Sequence, residues 1–192
     1  MSASEKQVYP LLGLLTTDLP GCGTADKLAA LERAASDFCE RSRCWREQLT
    51  VELVAGAYEA SLLWPCDGYA IGTTLVSIDG AAVRGAGGYL LVPARIADGM
   101  QGILFPTRPA CAQGCTLVLF GTLIPRRGSL ELPDWIMDNH GAAIADGAAA
   151  MLKRHGRKAY SDLPGSAEYM RTFERGVAAA AIEGAARQRG VS

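Results

Sequence analysis

The sequence predicts an α+β fold: a three-helix bundle, with one N-terminal and two C-terminal helices, carrying an inserted antiparallel β lobe of sandwich or small-barrel form. Three observations predict it. Charged side chains are unevenly spread, with 10 between residues 20 and 49, 11 between 50 and 132, and 15 between 133 and 192. The apolar residues of both charged flanks recur at three- and four-residue spacing, as on amphipathic helices. The charge-poor middle is rich in glycine, proline and β-branched residues, in short runs bounded by turn formers, as in strands. The boundaries drawn from these shifts assign residues 1–48 and 133–192 to the bundle and 49–132 to the lobe.

Taken in order, the first helix is expected from Thr24 to Trp45, with Gly23 or Thr24 at its N-cap and Asp26 favourable in its first turn. Leu28, Leu31, Phe38 and Trp45 line its apolar face, while Lys27, Glu32, Arg33, Asp37, Glu40, Arg41 and Arg43 line the other as a solvated surface laced with ion pairs. Strands are expected at 48–54, at 75–78 turning through Asp79-Gly80 into Val83, at 89–92 after a turn at Gly85, Gly87 and Gly88, at 102–105 and at 116–124. The glycine cluster is not a phosphate loop: it lacks the later glycine and the Lys-Ser or Lys-Thr ending, and it precedes a strand. Pro133 suits the first turn of a helix running to His155, with Gly156 as a left-handed cap. The basic run 153–158 then complements the helix dipole, with phosphate binding as its alternative. Ser161 or Asp162 caps a last helix that runs to about Gln188. Ile136, Ile144, Met151, Tyr169, Phe173 and Val177 complete the expected bundle core. Gly147, Gly176 and Gly184 mark close helix packing, because each costs about 1 kcal/mol relative to alanine inside a helix.

A chain of 192 residues with formal net charge −1 has room for one domain with a small lobe and lacks the broad positive field of a non-specific nucleic-acid binder. Its apolar runs are shorter than the roughly 18 residues of a membrane span, so no membrane partner is expected. Val8 to Leu15 imitates the apolar region of a leader, yet Pro10 and Gly13 interrupt it, and it is read as part of the fold. Cys22, Cys39, Cys44, Cys66, Cys111 and Cys115 are expected as reduced thiols. Cys111 and Cys115, spaced C-x-x-x-C, lack the second ligand pair of a zinc site. No metal or cofactor is expected.

Catalysis finds no constellation. There is no G-x-S-x-G elbow, Gly165-Ser166 lies in a loop without a following glycine, and the carboxylates sit on helix surfaces beside Arg or Lys. His140 and His155 read as solvated or capping histidines. No enzyme is expected.

The order of the parts carries a resemblance. Leu19-Pro20-Gly21-Cys22 and the helix end Ala34-Ala35-Ser36-Asp37-Phe38-Cys39-Glu40-Arg41-Ser42-Arg43-Cys44-Trp45-Arg46 are followed by the β segment. Then come Leu132-Pro133-Asp134-Trp135-Ile136, Ala143-Ile144-Ala145-Asp146-Gly147-Ala148, Lys158-Ala159-Tyr160-Ser161-Asp162 and Tyr169-Met170-Arg171-Thr172-Phe173-Glu174-Arg175-Gly176. Over residues 19–187 this succession resembles the head-to-tail adaptor (connector) proteins of tailed bacteriophages, the β insert by pattern alone. The resemblance implies a non-catalytic virion protein of the head–tail interface, assembled in the bacterial host cytoplasm. It implies a homo-oligomeric, dodecameric ring between the portal protein and a tail nozzle or tail tube protein, with DNA passing through the channel without specific binding. Arg171, Arg175, Arg187 and Arg189 are the candidate partner contacts, with ordinary solvated helix charges as the alternative. A second reading, of another class, is a soluble ligand-binding or regulatory module with a pocket in the β lobe near Tyr69, Tyr89 and Phe105.

Overall fold

The structure, a computed structural model, describes residues 5–7, 10–52, 59–61, 73–85, 88–91, 95–96, 102–104, 116–125, 131–156 and 158–189. The chain divides into two units, one formed by residues 1–44 and 125–192 and the other by residues 45–124. The lobe boundaries expected at 48/49 and 132/133 thus lie four and eight residues earlier. The overall class is α+β, with a helical unit and an antiparallel β unit.

In the helical unit, strand β1 (Glu5–Gln7) pairs antiparallel with β9 (Glu131–Pro133), and helices α1 (Leu11–Asp18), α2 (Thr24–Ser42), α3 (Asp134–Lys153) and α4 (Leu163–Arg189) pack together. Helix α1 occupies the stretch that imitates a leader, and Leu11 and Leu15 are buried. Sequence periodicity missed it because eight residues give barely two turns of pattern.

Helix α2 starts after Gly23, as expected, but ends three residues before Trp45. Arg43 adopts the left-handed conformation (φ 48°) and its N–H donates to the Cys39 carbonyl at 2.9 Å, which closes the helix end. The Ser42 hydroxyl accepts the next N–H, from Cys44, at 3.3 Å. Trp45 is therefore outside the helix and belongs to the β unit, a correction to its expected place in the bundle seam. Its indole N–H donates to Glu47 Oε1 at 2.8 Å, and burial raises the Glu47 carboxyl above its ordinary range while that hydrogen bond opposes the shift.

Of the expected bundle core, Leu31, Phe38, Ile136, Ile144, Phe173 and Val177 are buried, whereas Leu28, Met151 and Tyr169 are half-buried. The Phe38 and Phe173 rings meet edge to face at 6.0 Å between centroids. The three helix glycines mark close approach: a Cβ at Gly147 would enter the Phe173 ring, one at Gly176 would strike the Ala143 side chain, and one at Gly184 would lie 3.1 Å from the Cys44 Cα.

Helix α3 is not capped by a left-handed Gly156; the residue closing it, Arg154, is right-handed (φ −76°). Its last carbonyls are satisfied instead by the chain that returns into α4. The His155 N–H donates to Leu152 (3.0 Å), the Asp162 N–H to Lys153 (3.0 Å) and the Ser166 hydroxyl to Ala150 (2.8 Å). Of the two expected caps, Ser161 and Asp162, it is Asp162 that caps α4, its Oδ1 accepting the Gly165 N–H at 3.0 Å.

The β unit holds β2 (Arg46–Glu52), β3 (Glu59–Ser61), β4 (Thr73–Gly85), β5 (Gly88–Leu91), β6 (Arg95–Ile96), β7 (Gly102–Leu104) and β8 (Thr116–Pro125), whose last residue falls in the helical unit. They form a four-stranded sheet, β2-β8-β4-β5, and a three-stranded sheet, β3-β7-β6. The ladder of β2 on β8 runs from Arg46 opposite Thr122 to Glu52 opposite Thr116. Central β8 buries Leu117, Leu119 and Leu123 on one face and Val118 and Thr122 on the other, which explains its nearly continuous apolar run. The expected Asp79-Gly80 turn is absent: β4 runs unbroken through both residues. The second expected turn, at the glycine cluster, is present, with Gly85 paired to Gly88 between β4 and β5.

Candidate functional site

The residues singled out from sequence fall mainly on α4 and at the α3–α4 turn. Helix α4 buries a narrow seam of Ser166, Phe173, Val177, Ala180 and Gly184, a three- and four-residue spacing that keeps one stripe against the bundle. Arg171 and Arg175 stand exposed on the opposite side, on the same outward face as exposed Ala178, Ala179 and Ile182. Arg187 and Arg189 lie in the last turn of α4, where side chains are outside the described residues. Arg171 and Arg175 thus share an exposed face.

Arg41, which sequence reading placed on the solvated face of α2, instead links helices. It lies 3.5 Å from Asp37 and 3.7 Å from Glu174 of α4, with its guanidinium carbon 5.6 Å from the Phe173 ring centroid. These charges are about 40% exposed or more, so water screens the pairs and their role is chiefly to orient side chains over the seam.

The basic run at the α3–α4 turn separates into two kinds of residue. Lys153 lies 3.4 Å from Asp162 and over the Tyr169 ring, and Arg154 donates through Nε to Ser166 Oγ at 3.2 Å. His155 and Lys158 are exposed, and Arg157 lies outside the described residues. Ser161 ties the turn by donating to the His155 carbonyl and accepting the Lys158 N–H. The Gly165 N–H, aided by Lys153, holds the Asp162 carboxyl below its ordinary range.

His140 departs most from expectation. Read from sequence as solvated, it is only 5% exposed, with its ring centroid 5.4 Å from Phe38 and 6.5 Å from Trp135. Its Nε2 lies 3.3 Å from Glu183 Oε2 of α4, off the line of a hydrogen bond. The pattern signal was present, since His140 is four residues from both Ile136 and Ile144 on the buried face of α3.

Cys22, Cys39 and Cys44 are buried free thiols. The neighbouring Cys44 thiol and burial push Cys39 well above its ordinary range, so Cys39 is a poor nucleophile. Burial, with Cys22 and Asp26 nearby, likewise raises the Tyr160 hydroxyl. Cys66, Cys111, Cys115, Tyr69 and Phe105 lie outside the described residues, as does the side chain of Tyr89. Among the described residues no group of three His, Cys, Asp or Glu could hold a metal ion. None of their helices is long and apolar enough to cross a membrane. A cavity of about 180 Å³ between α1, α3 and α4 is walled by Leu14, Leu15, Ala145 and Ala149, with Asp146 and Tyr169 as its polar members.

No protein-family model matches this chain, and no curated protein matches it in sequence.

Proposed function

We propose that this chain is a head-to-tail adaptor of a tailed bacteriophage, a non-catalytic subunit that repeats around a ring between portal and tail. What supports the reading is the order of the sequence strings, from Leu19-Pro20-Gly21-Cys22 to the segment Tyr169–Gly176, which resembles that family. The fold is compatible with it: α2, α3 and α4 form one bundle although the β unit separates α2 from the other two in sequence. In a ring each subunit presents two different surfaces to its two neighbours, so weak charge pairs along a helix face are repeated at every interface. Exposed Arg171 and Arg175 on α4 are the partner contacts this reading favours.

Imaging of purified virions tests the proposal, with the chain expected in the neck between portal and tail; its absence from the neck would reject the reading. The solution mass of the purified full chain, alone and mixed with a portal ring, supplies the second test, and a mass shift to the ring-bound complex is expected.

A further inference from the structure

We infer that Cys39 and Cys44 are a redox-active dithiol, which a low-molecular-weight disulfide oxidises to an intramolecular disulfide that locks the end of α2. The inference rests on local geometry and is independent of the adaptor reading.

Cys39 lies in the last turn of α2, and Cys44 lies two residues past its end. Arg43, between that end and Cys44, is left-handed (φ 48°), and its N–H donates to the Cys39 carbonyl at 2.9 Å. A left-handed position folds the residue beyond it back against the last turn of the helix. The Ser42 hydroxyl, accepting the Cys44 N–H at 3.3 Å, holds that residue in place. The two side chains meet there: the Cys39 thiol is hydrogen-bonded to Cys44, and the residues are 0% and 4% exposed. Thiols in such contact reach bonding distance by side-chain rotation, with the backbone left where it is. Cys22, the other described cysteine, is placed elsewhere, its Sγ 3.8 Å from the Gly23 carbonyl oxygen and beside Tyr160.

Burial and the neighbouring thiol make Cys39 the poorer nucleophile, and Cys44 is the less buried of the two, so Cys44 acts first. Its thiol loses a proton and attacks one sulfur of the reagent. The reagent's S–S bond breaks and half of it leaves as a thiol, giving a mixed disulfide on Cys44. Cys39 then loses its proton and attacks the Cys44 sulfur, releasing the second half as a thiol. The protein gives up two electrons and two protons, and the reagent takes up both. The second step joins groups already in contact, which offsets the weak nucleophilicity of Cys39. Helix α4 controls access, since a Cβ on Gly184 would lie 3.1 Å from the Cys44 Cα. Past Val177 the buried seam of α4 is Ala180 and Gly184, which bury little apolar surface, so this end of the helix opens at small cost. The product ties Cys44, the last residue before the β unit, covalently to α2.

The test titrates the folded full chain with glutathione buffers of rising disulfide-to-thiol ratio, then blocks free thiols and digests with trypsin without reduction. Trypsin cuts after Arg41 and Arg43, between the two cysteines, so the lock is read as a disulfide joining peptides 34–41 and 44–46. It should form within the monomer with loss of two hydrogens, and amide exchange at residues 43–46 should be slower in the oxidised chain. Cys39→Ser should leave glutathione on Cys44 as the mixed disulfide, while Cys22→Ala should leave the lock unchanged. Thiols that stay free at every ratio, oxidation that stops at the mixed disulfide in the parent chain, a link that forms only after unfolding, or unchanged exchange in the oxidised chain would overturn the inference.

Discussion

Phe38 is fully buried, with Phe173 on one side and His140 on another. Phe38→Ala removes a ring that three helices share, and chemical denaturation should register a loss of roughly 3 to 5 kcal/mol. An unchanged unfolding midpoint would contradict its place in the core. Asp162 has a pH signature. Its folded carboxyl titrates below the ordinary range, so the stability it contributes is present above the unfolded carboxyl range near pH 3.9 and is lost as pH falls through the folded value. Asp162→Ala should therefore lower Tm at neutral pH and by progressively less as the solution is acidified, which a melting series on the acid side would show. Cys39, with a thiol raised by Cys44 and by burial, should resist alkylation in the native chain and react on unfolding. Peptide mapping after a timed label reads this directly, and rapid native labelling at Cys39 would refute the burial.

At the scale of the element, helix ends and helix contacts obey different physics. Arg43 occupies a left-handed position that a residue with a Cβ adopts at a penalty, and its side chain is exposed. Arg43→Gly should raise the unfolding free energy by up to about 1 kcal/mol, net of the greater freedom of glycine in the unfolded chain. Denaturant midpoints check the sign. Gly147 presents the opposite case: alanine is the better helix former, yet its Cβ would enter the Phe173 ring. Gly147→Ala should destabilise by about 1 to 2 kcal/mol, because overpacking outweighs the gain in propensity. A stabilised variant would show that α3 and α4 can move apart at little cost.

Considered as a whole molecule, the chain has a bundle interrupted in sequence and closed in space. Residues 1–44 and 125–192 form one unit although the whole β unit lies between them in the chain. The uneven charge already outlined this division, because a bundle exposes one face of each helix whereas a strand such as β8 buries residues on both of its faces, Phe120 excepted. Local pattern placed the unit boundaries less well. Trp45 continues the spacing of α2 but lies in the β unit, since the turn at Arg43 ends the helix before the apolar pattern ends. Asp79-Gly80 has the composition of a hairpin turn, yet β4 runs straight through it, and pairing with β5 places the reversal at the glycines beyond. On assembly, a shift in solution mass when the full chain meets a portal ring is the outcome expected of the proposed adaptor.

By itself the sequence determined the helix-rich flanks, the strand-rich middle, a cap for α4 at Ser161 or Asp162 and most of the buried seam, including Leu31, Phe38, Ile144, Phe173 and Val177. Each follows from periodicity or from hydrogen bonding within a few residues. Only the tertiary structure decided that His140 is buried beside Glu183, that Arg41 reaches across to α4, and that the end of α3 is closed by Asp162 and Ser166. Those contacts join residues far apart in the chain, and their distances are set by how the helices pack, which no local spacing encodes.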